Sequence, residues 1–123
     1  MANHRLEGAR ILVVEDEFLI ADDLARALAQ AGGVPVGPVG TVEQARTQLA
    51  RGGADAAVLD INLRGDMAFS LAEELSASLP CVIVSGYGRA ALPESLANVP
   101  SLEKPVNHDK VISLLAQQLE GAN

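Results

Sequence analysis

Tryptophan is absent from this 123-residue chain, and Phe18, Phe69 and Tyr87 are its only aromatics. That is too few for the successive stacking platforms on which single-stranded nucleic acids lie. Basic residues are also scarce: 9 Lys and Arg face 16 Asp and Glu, for a net charge of -7. Without a basic stripe, binding to a nucleic-acid backbone is not expected. Cys81 is the single cysteine, so an internal disulfide is excluded. The first residues lack the basic-then-apolar build of a secretory signal, and no apolar run approaches the roughly 18 residues that span a bilayer. The expected location is the cytoplasm, with no membrane partner.

What the chain does have is a core. A hydrophobic content of 49% suffices for one domain of this length, read as residues 1–123 with its folded part at about 10–119. Met1 to Gly8 and Gly121 to Asn123 read as loose ends. Strand and helix patterns alternate between them. Ile11 to Val14 is apolar; Phe18, Ile20, Ala21, Leu24, Ala25, Leu28 and Ala31 then recur at three- and four-residue spacings, which predicts one buried helix face ending at Gly32-Gly33. Val34 to Val39 reads as a strand whose Pro35 and Pro38 confine it to a sheet edge. Thr41 and Gln44 form a capping box for a second helix that buries Val42, Ala45 and Leu49 and stops at Gly52-Gly53.

Ala56 to Leu59 is apolar throughout, as a central strand covered on both faces requires. Ala68, Leu71, Ala72, Leu75 and Leu79 mark a third helix ended by Pro80. Cys81 to Val84 is a fourth strand, Ala90 to Ala97 a short helix with Pro93 in its first turns, and Val99 to Glu103 a fifth strand. Asn107 caps a last helix that buries Val111, Ile112, Leu114, Leu115 and Leu119. This alternation predicts an α/β fold with a parallel sheet between two helical layers.

In such sheets ligands bind beyond the carboxyl ends of the strands. Glu15 and Asp16 follow the first strand there, Asp60 the third, Ser85 the fourth and Lys104 the fifth. Each has a bland reading: an acidic helix start for Glu15-Asp16-Glu17, turn residues for Asp60 and for Ser85-Gly86, a surface lysine for Lys104. Their joint register favours a site. Two like charges about 4 Å apart repel by roughly 4 kcal/mol at an effective dielectric of 20, so the three carboxylates call for a cation. Mg²⁺ suits an all-oxygen set, with Asp16 and Asp60 as direct ligands, Glu15 through water, and the backbone carbonyl of Asn62 as a further ligand. Asp60 is then the nucleophile for an acyl phosphate, while Lys104 and Ser85 stabilise the phosphoryl oxygens. Arg64 and Arg89 flank this site as candidates for steering an anionic donor. Cys81 is expected in the core, and His4 and His108, which lack metal-ligand spacing, at the surface.

Val13-Val14-Glu15-Asp16, Leu59-Asp60-Ile61-Asn62-Leu63, Ser85 and Lys104-Pro105, in that order, resemble the receiver domain of two-component response regulators over about Arg10 to Leu119. The resemblance implies a flavodoxin-like (βα)5 fold with strand order 2-1-3-4-5. It implies a phosphoacceptor rather than an enzyme, charged by a sensor histidine kinase or a histidine phosphotransfer protein. Output would pass to a downstream protein, or the domain would act as a phosphate sink, since no effector domain follows Leu119. The usual aromatic two residues before the lysine is replaced by Leu102. Tyr87, two residues after Ser85, is the alternative switch aromatic, and Tyr87, Leu92 and Leu102 form the expected docking face. Gly86 and Tyr87 also resemble part of the Phe-Ala-Thr-Gly-hydrophobic-Tyr signature of alphaproteobacterial receivers, although Ile83, Ser85 and Gly88 depart from it. Two competitors remain: a receiver-like interaction module that needs no phosphorylation, and a small aspartate-nucleophile phosphatase, whose Asp-x-Asp motif normally follows the first strand.

Overall fold

A computed structural model of the chain describes residues 5–63 and 65–121. The expected loose ends at Met1 to His4 and at Ala122 and Asn123, the surface position of His4 and the steering role of Arg64 lie outside these residues. The strands are β1 (Arg10–Val14), β2 (Val34–Val39), β3 (Ala56–Asp60), β4 (Asn62–Leu63), β5 (Asp66–Met67), β6 (Cys81–Ser85) and β7 (Ser101–Glu103). Four helices, α1 (Phe18–Gln30), α2 (Val42–Arg51), α3 (Phe69–Ser78) and α4 (His108–Gly121), alternate with them.

Five strands form one parallel sheet in the order β2-β1-β3-β6-β7. Counting only these strands, the order is the 2-1-3-4-5 implied by resemblance. Strand numbers shift because β4 and β5 make a separate antiparallel pair, Asn62 opposite Met67 and Leu63 opposite Asp66, which the sequence pattern does not announce.

Period-two alternation in the sheet divides the core into two layers. Ile11, Val13, Ala56, Val58, Val82 and Val84 pack with Leu24 and Leu28 of α1 and with Val111 and Leu115 of α4. Leu12, Val14, Ala57, Leu59, Cys81 and Ile83 pack on the other face with Ala45 of α2 and Leu71 and Leu75 of α3. The β2 edge follows local chemistry. β2 carries its two prolines at the rim, and its register against β1 shifts between Leu12 and Val14. Gly37 takes a φ of 93° there, and a Cβ on it would lie 2.8 Å from the Val39 nitrogen. Among the described residues, no helix is long and apolar enough to cross a membrane.

The caps form much as predicted. Thr41 Oγ1 accepts the Gln44 N–H at 3.1 Å, while Gln44 Oε1 accepts from Gly40 rather than from Thr41 itself. Asn107 Oδ1 accepts the Asp109 N–H at 2.8 Å.

Four expectations need correction. Phe18 is 78% exposed rather than part of the buried face of α1: it opens the helix, beyond the rim of the sheet that covers Ala21, Leu24 and Leu28. The segment before β1 is not loose through Gly8, since Leu6 is buried and its N–H reaches Ala31 O at 2.9 Å. The fifth sheet strand starts at Ser101, not Val99. No α-helix spans residues 90–97, where two short 3₁₀ turns, Arg89–Ala91 and Glu94–Leu96, stand instead, so the described residues form four α-helices rather than the expected five. Pro93 is the cause: it excludes Leu92 from the helical region, and Leu92 sits at φ −86°, ψ 144°.

Candidate functional site

The sheet order reverses between β1 and β3, since β2 lies on one side of β1 and β3 on the other. The carboxyl ends of β1 and β3 therefore bound the crevice where this class of sheet binds ligands. Buried polar side chains among the described residues are only three: Glu15 at 4% exposure, Asp60 at 3% and Ser85 at 2%. All three leave the sheet at this rim. Burying polar groups costs free energy unless they are paired, so their concentration in one place marks a site.

Lys104 supplies the pairing. Its Nζ donates to Asp60 Oδ2 at 2.8 Å and to Glu15 Oε1 at 2.9 Å. Backbone contacts occupy the remaining carboxylate oxygens: Asp60 Oδ1 accepts the Asn62 N–H at 3.0 Å, and Glu15 Oε2 accepts the Glu17 N–H at 3.1 Å. Asp16 is partly exposed and joins them, with one carboxylate oxygen from each of Glu15, Asp16 and Asp60 within 4.8 Å of the others.

The local chain explains how these groups meet. Asp60 pairs with Val84 across the sheet, one residue before Ser85, and Ser85 pairs with Glu103, one residue before Lys104. The Lys104 N–H bonds to the Ser85 carbonyl at 2.7 Å, and the Lys104-Pro105 peptide is cis. A cleft of about 490 Å³ opens beside Glu15 and Lys104, lined also by Ile20, Leu24, Val106 and His108 among others, but not by Asp16 or Asp60.

Electrostatics follow from the crowding. Burial pushes the Glu15 carboxyl up to about 7, against the lowering effect of its bonds to Lys104 and to the Glu17 N–H, and the Asp60 charge pushes it further up. Burial acts to lower the Lys104 ammonium, but bonds to Asp60 and Glu15 outweigh it and raise its pKa. Cys81 is buried in the core, as expected, and desolvation raises its thiol to about 12, which leaves it inert.

The remaining predicted residues lie around this centre. Ser85 Oγ accepts the Tyr87 N–H at 2.9 Å, which leaves its hydroxyl proton free. Asn62 is partly buried, and its Oδ1 accepts from Gly65 at 3.0 Å. Tyr87 is 46% exposed. Leu102 packs with the α1 and α4 layer, whereas Leu92 packs with the α2 and α3 layer, so a face containing both wraps around edge strand β7. His108 is partly buried at the cleft rather than on the open surface. Arg89 is occupied with Ser101 and the carbonyls of Ala97 and Val99, which argues against its reading as a steering charge. Sequence reasoning missed this role, because three acceptors 8 to 12 residues away leave no periodic trace. It also missed the exposed Phe18 and Leu19 beside the acidic cluster.

Solved structures define the class. SdrG from Sphingomonas melonis Fr1 is 39% identical, with 91% of this chain and 97% of that one covered and a TM-score of 0.78. The response regulator PhyR from Brucella abortus shares the fold at 24% identity and a TM-score of 0.79 over 94% of this chain, which spans only 49% of PhyR. TrrA, a response regulator protein of Thermotoga maritima solved in complex with Mg²⁺-BeF, shares it at 23% identity and a TM-score of 0.78, covering 89% of this chain and 98% of that one. Further neighbours are receiver domains, two of them described as CheY-like, and a response regulator receiver protein from Sinorhizobium medicae at 25% identity. The chain belongs to the response regulator receiver family. No protein-family model and no curated protein matches it.

Proposed function

We propose that this domain is a phosphoacceptor of two-component signalling, in which Asp60 takes a phosphoryl group from a phosphohistidine of a sensor kinase or phosphotransfer protein. The observation that carries the reading is the Lys104 bridge: one ammonium within 2.9 Å of two buried carboxylates, with a third carboxylate alongside. Three carboxylates against one ammonium leave excess negative charge in a buried crevice, and every donor is oxygen. That set fits Mg²⁺, which accepts a few carboxylates together with phosphate oxygens and water. Glu15, Asp16, Asp60 and the Asn62 carbonyl would hold it. When bound, the ion supplies neutralisation of charge on the transferring phosphoryl group.

The chain's own groups do the rest. A carboxylate oxygen of Asp60 attacks phosphorus, the P–N bond to the donor imidazole breaks, and the nitrogen keeps its electron pair. Lys104 moves from the free carboxylate onto a phosphoryl oxygen, and the Ser85 hydroxyl donates its unused proton to another. Phosphoryl transfer depends mainly on such positioning and charge stabilisation. Output passes by protein contact at Tyr87, Leu92 and Leu102 around β7, or the domain serves as a phosphate sink.

The test is labelling with acetyl phosphate and Mg²⁺, read by intact mass. Wild type gains one phosphoryl group and Asp60→Asn gains none while retaining the native circular dichroism spectrum. Equal labelling of Asp60→Asn would place the acceptor elsewhere, and no labelling of wild type would favour an interaction module that works without phosphate.

A further inference from the structure

The connection from β6, which ends at Ser85, to β7, which opens at Ser101 and runs into Lys104, holds only two 3₁₀ turns. Their backbone bonds are local. Ala91 bonds to Gly88, Leu92 to Arg89, Leu96 to Pro93, Ala97 to Glu94 and Val99 to Leu96, so each bond closes a turn on itself and none ties the first turn to the second. Arg89 does that. Its Nη2 donates to the Val99 carbonyl at 3.0 Å and also to the Ala97 carbonyl, and its Nη1 donates to Ser101 Oγ at 2.8 Å. Ser101 opens β7, the strand that runs into Lys104. A planar guanidinium carries five donors in a rigid fork, so it can meet three acceptors at once in fixed directions.

Arg89 also lies two residues after Tyr87, whose N–H donates to Ser85 Oγ. That bond orients the hydroxyl. Holding Arg89 restrains the short segment that carries the Tyr87 amide, and with it the position of Ser85 Oγ, whose proton stays available.

We propose that Arg89 is a positioning residue: it fastens the first 3₁₀ turn to the second and to β7, and through Tyr87 holds the Ser85 hydroxyl ready for a phosphoryl oxygen. The Ser85 part rests on the reading of Asp60 as phosphoacceptor; the fastening itself does not.

Two measurements on the full chain separate the parts. In amide hydrogen exchange, Arg89→Gln accelerates the Leu92, Ala97 and Val99 amides about tenfold, as expected for losing hydrogen bonds from a charged donor, and leaves β1 and β3 unchanged. Ser101→Ala, which removes one of the three bonds, gives a smaller acceleration at the same amides. In acetyl phosphate labelling with Mg²⁺, Arg89→Gln slows uptake several-fold in wild type and has no further effect in a Ser85→Ala background, because a residue acting through Ser85 has nothing left to position. Unchanged exchange at the three amides overturns the fastening. Equal slowing with and without Ser85 overturns the positioning role and leaves Arg89 a general stabiliser. Failure of wild type to label removes the phosphoacceptor reading and the Ser85 part with it, while the exchange result still decides the fastening.

Discussion

Replacing Lys104 by methionine keeps the aliphatic stem and deletes the ammonium that meets Asp60 at 2.8 Å and Glu15 at 2.9 Å. Breaking a buried ion pair by removing one partner typically costs about 3–5 kcal/mol, because the other charge is left uncompensated. Two features reduce that figure here. The Lys104 side chain keeps 19% of its surface in water, and Glu15, whose carboxyl already stands at about 7, relieves part of the repulsion by taking up a proton. A loss of about 2–3 kcal/mol is expected at pH 8 without divalent cation. Saturating Mg²⁺ restores positive charge between the same carboxylates, so the loss should shrink to about 1 kcal/mol or less. With no tryptophan in the chain, urea unfolding is best followed by far-ultraviolet circular dichroism, for both proteins with Mg²⁺ and with chelator. A loss of the same size under both conditions would refute the reasoning, since it would mean that Lys104 stabilises by packing rather than by neutralising the acidic crevice.

The Glu15 carboxyl gives an unusual pH dependence. Its folded pKa of about 7 lies above the ordinary 4.5, so the folded state binds more protons between those values. Without metal, stability is then greatest below about pH 4.5 as far as Glu15 is concerned, and falls by up to roughly 3 kcal/mol as pH rises through 7. Glu15→Gln should flatten that window in urea titrations, and an unchanged slope would count against the assignment. Mg²⁺ competes with the same proton, so its affinity should drop as pH falls below about 7, measurable by calorimetry. Away from the site, Gln118 of α4 accepts the Cys81 N–H at 3.3 Å and donates to the Cys81 carbonyl at 3.1 Å; β7 does not pair with Cys81. Gln118→Ala should cost about 1–3 kcal/mol in urea unfolding by leaving these groups without a partner, and a cost under half of that would mean water replaces the side chain.

Much of the site could be read without coordinates because each of its residues ends a strand. Glu15, Asp60 and Ser85 each close or directly follow an apolar strand, Lys104 directly follows β7, and parallel strands bring all those ends to one rim. Amphipathic spacing likewise marked Ala21, Leu24 and Leu28, and Leu71 and Leu75, as core. It failed at Phe18, where the helix outruns the sheet that would have covered it, and at residues 90–97, where the rotation imposed before Pro93 defeats a helical pattern.

Local sequence alone settled the strand and helix alternation, the proline-bearing edge, the caps at Thr41 and Asn107, and the types of group at the acidic rim. Each of these depends on neighbours a few residues apart, which periodicity and backbone preference record. Only the tertiary structure decided that Lys104 bridges Glu15 and Asp60, that Glu15 is buried enough to hold a proton near neutrality, and that Arg89 fastens the loop instead of facing a donor. Those outcomes join residues 89, 44 and 8 to 12 positions apart, and burial and long-range pairing come into being only when the sheet assembles.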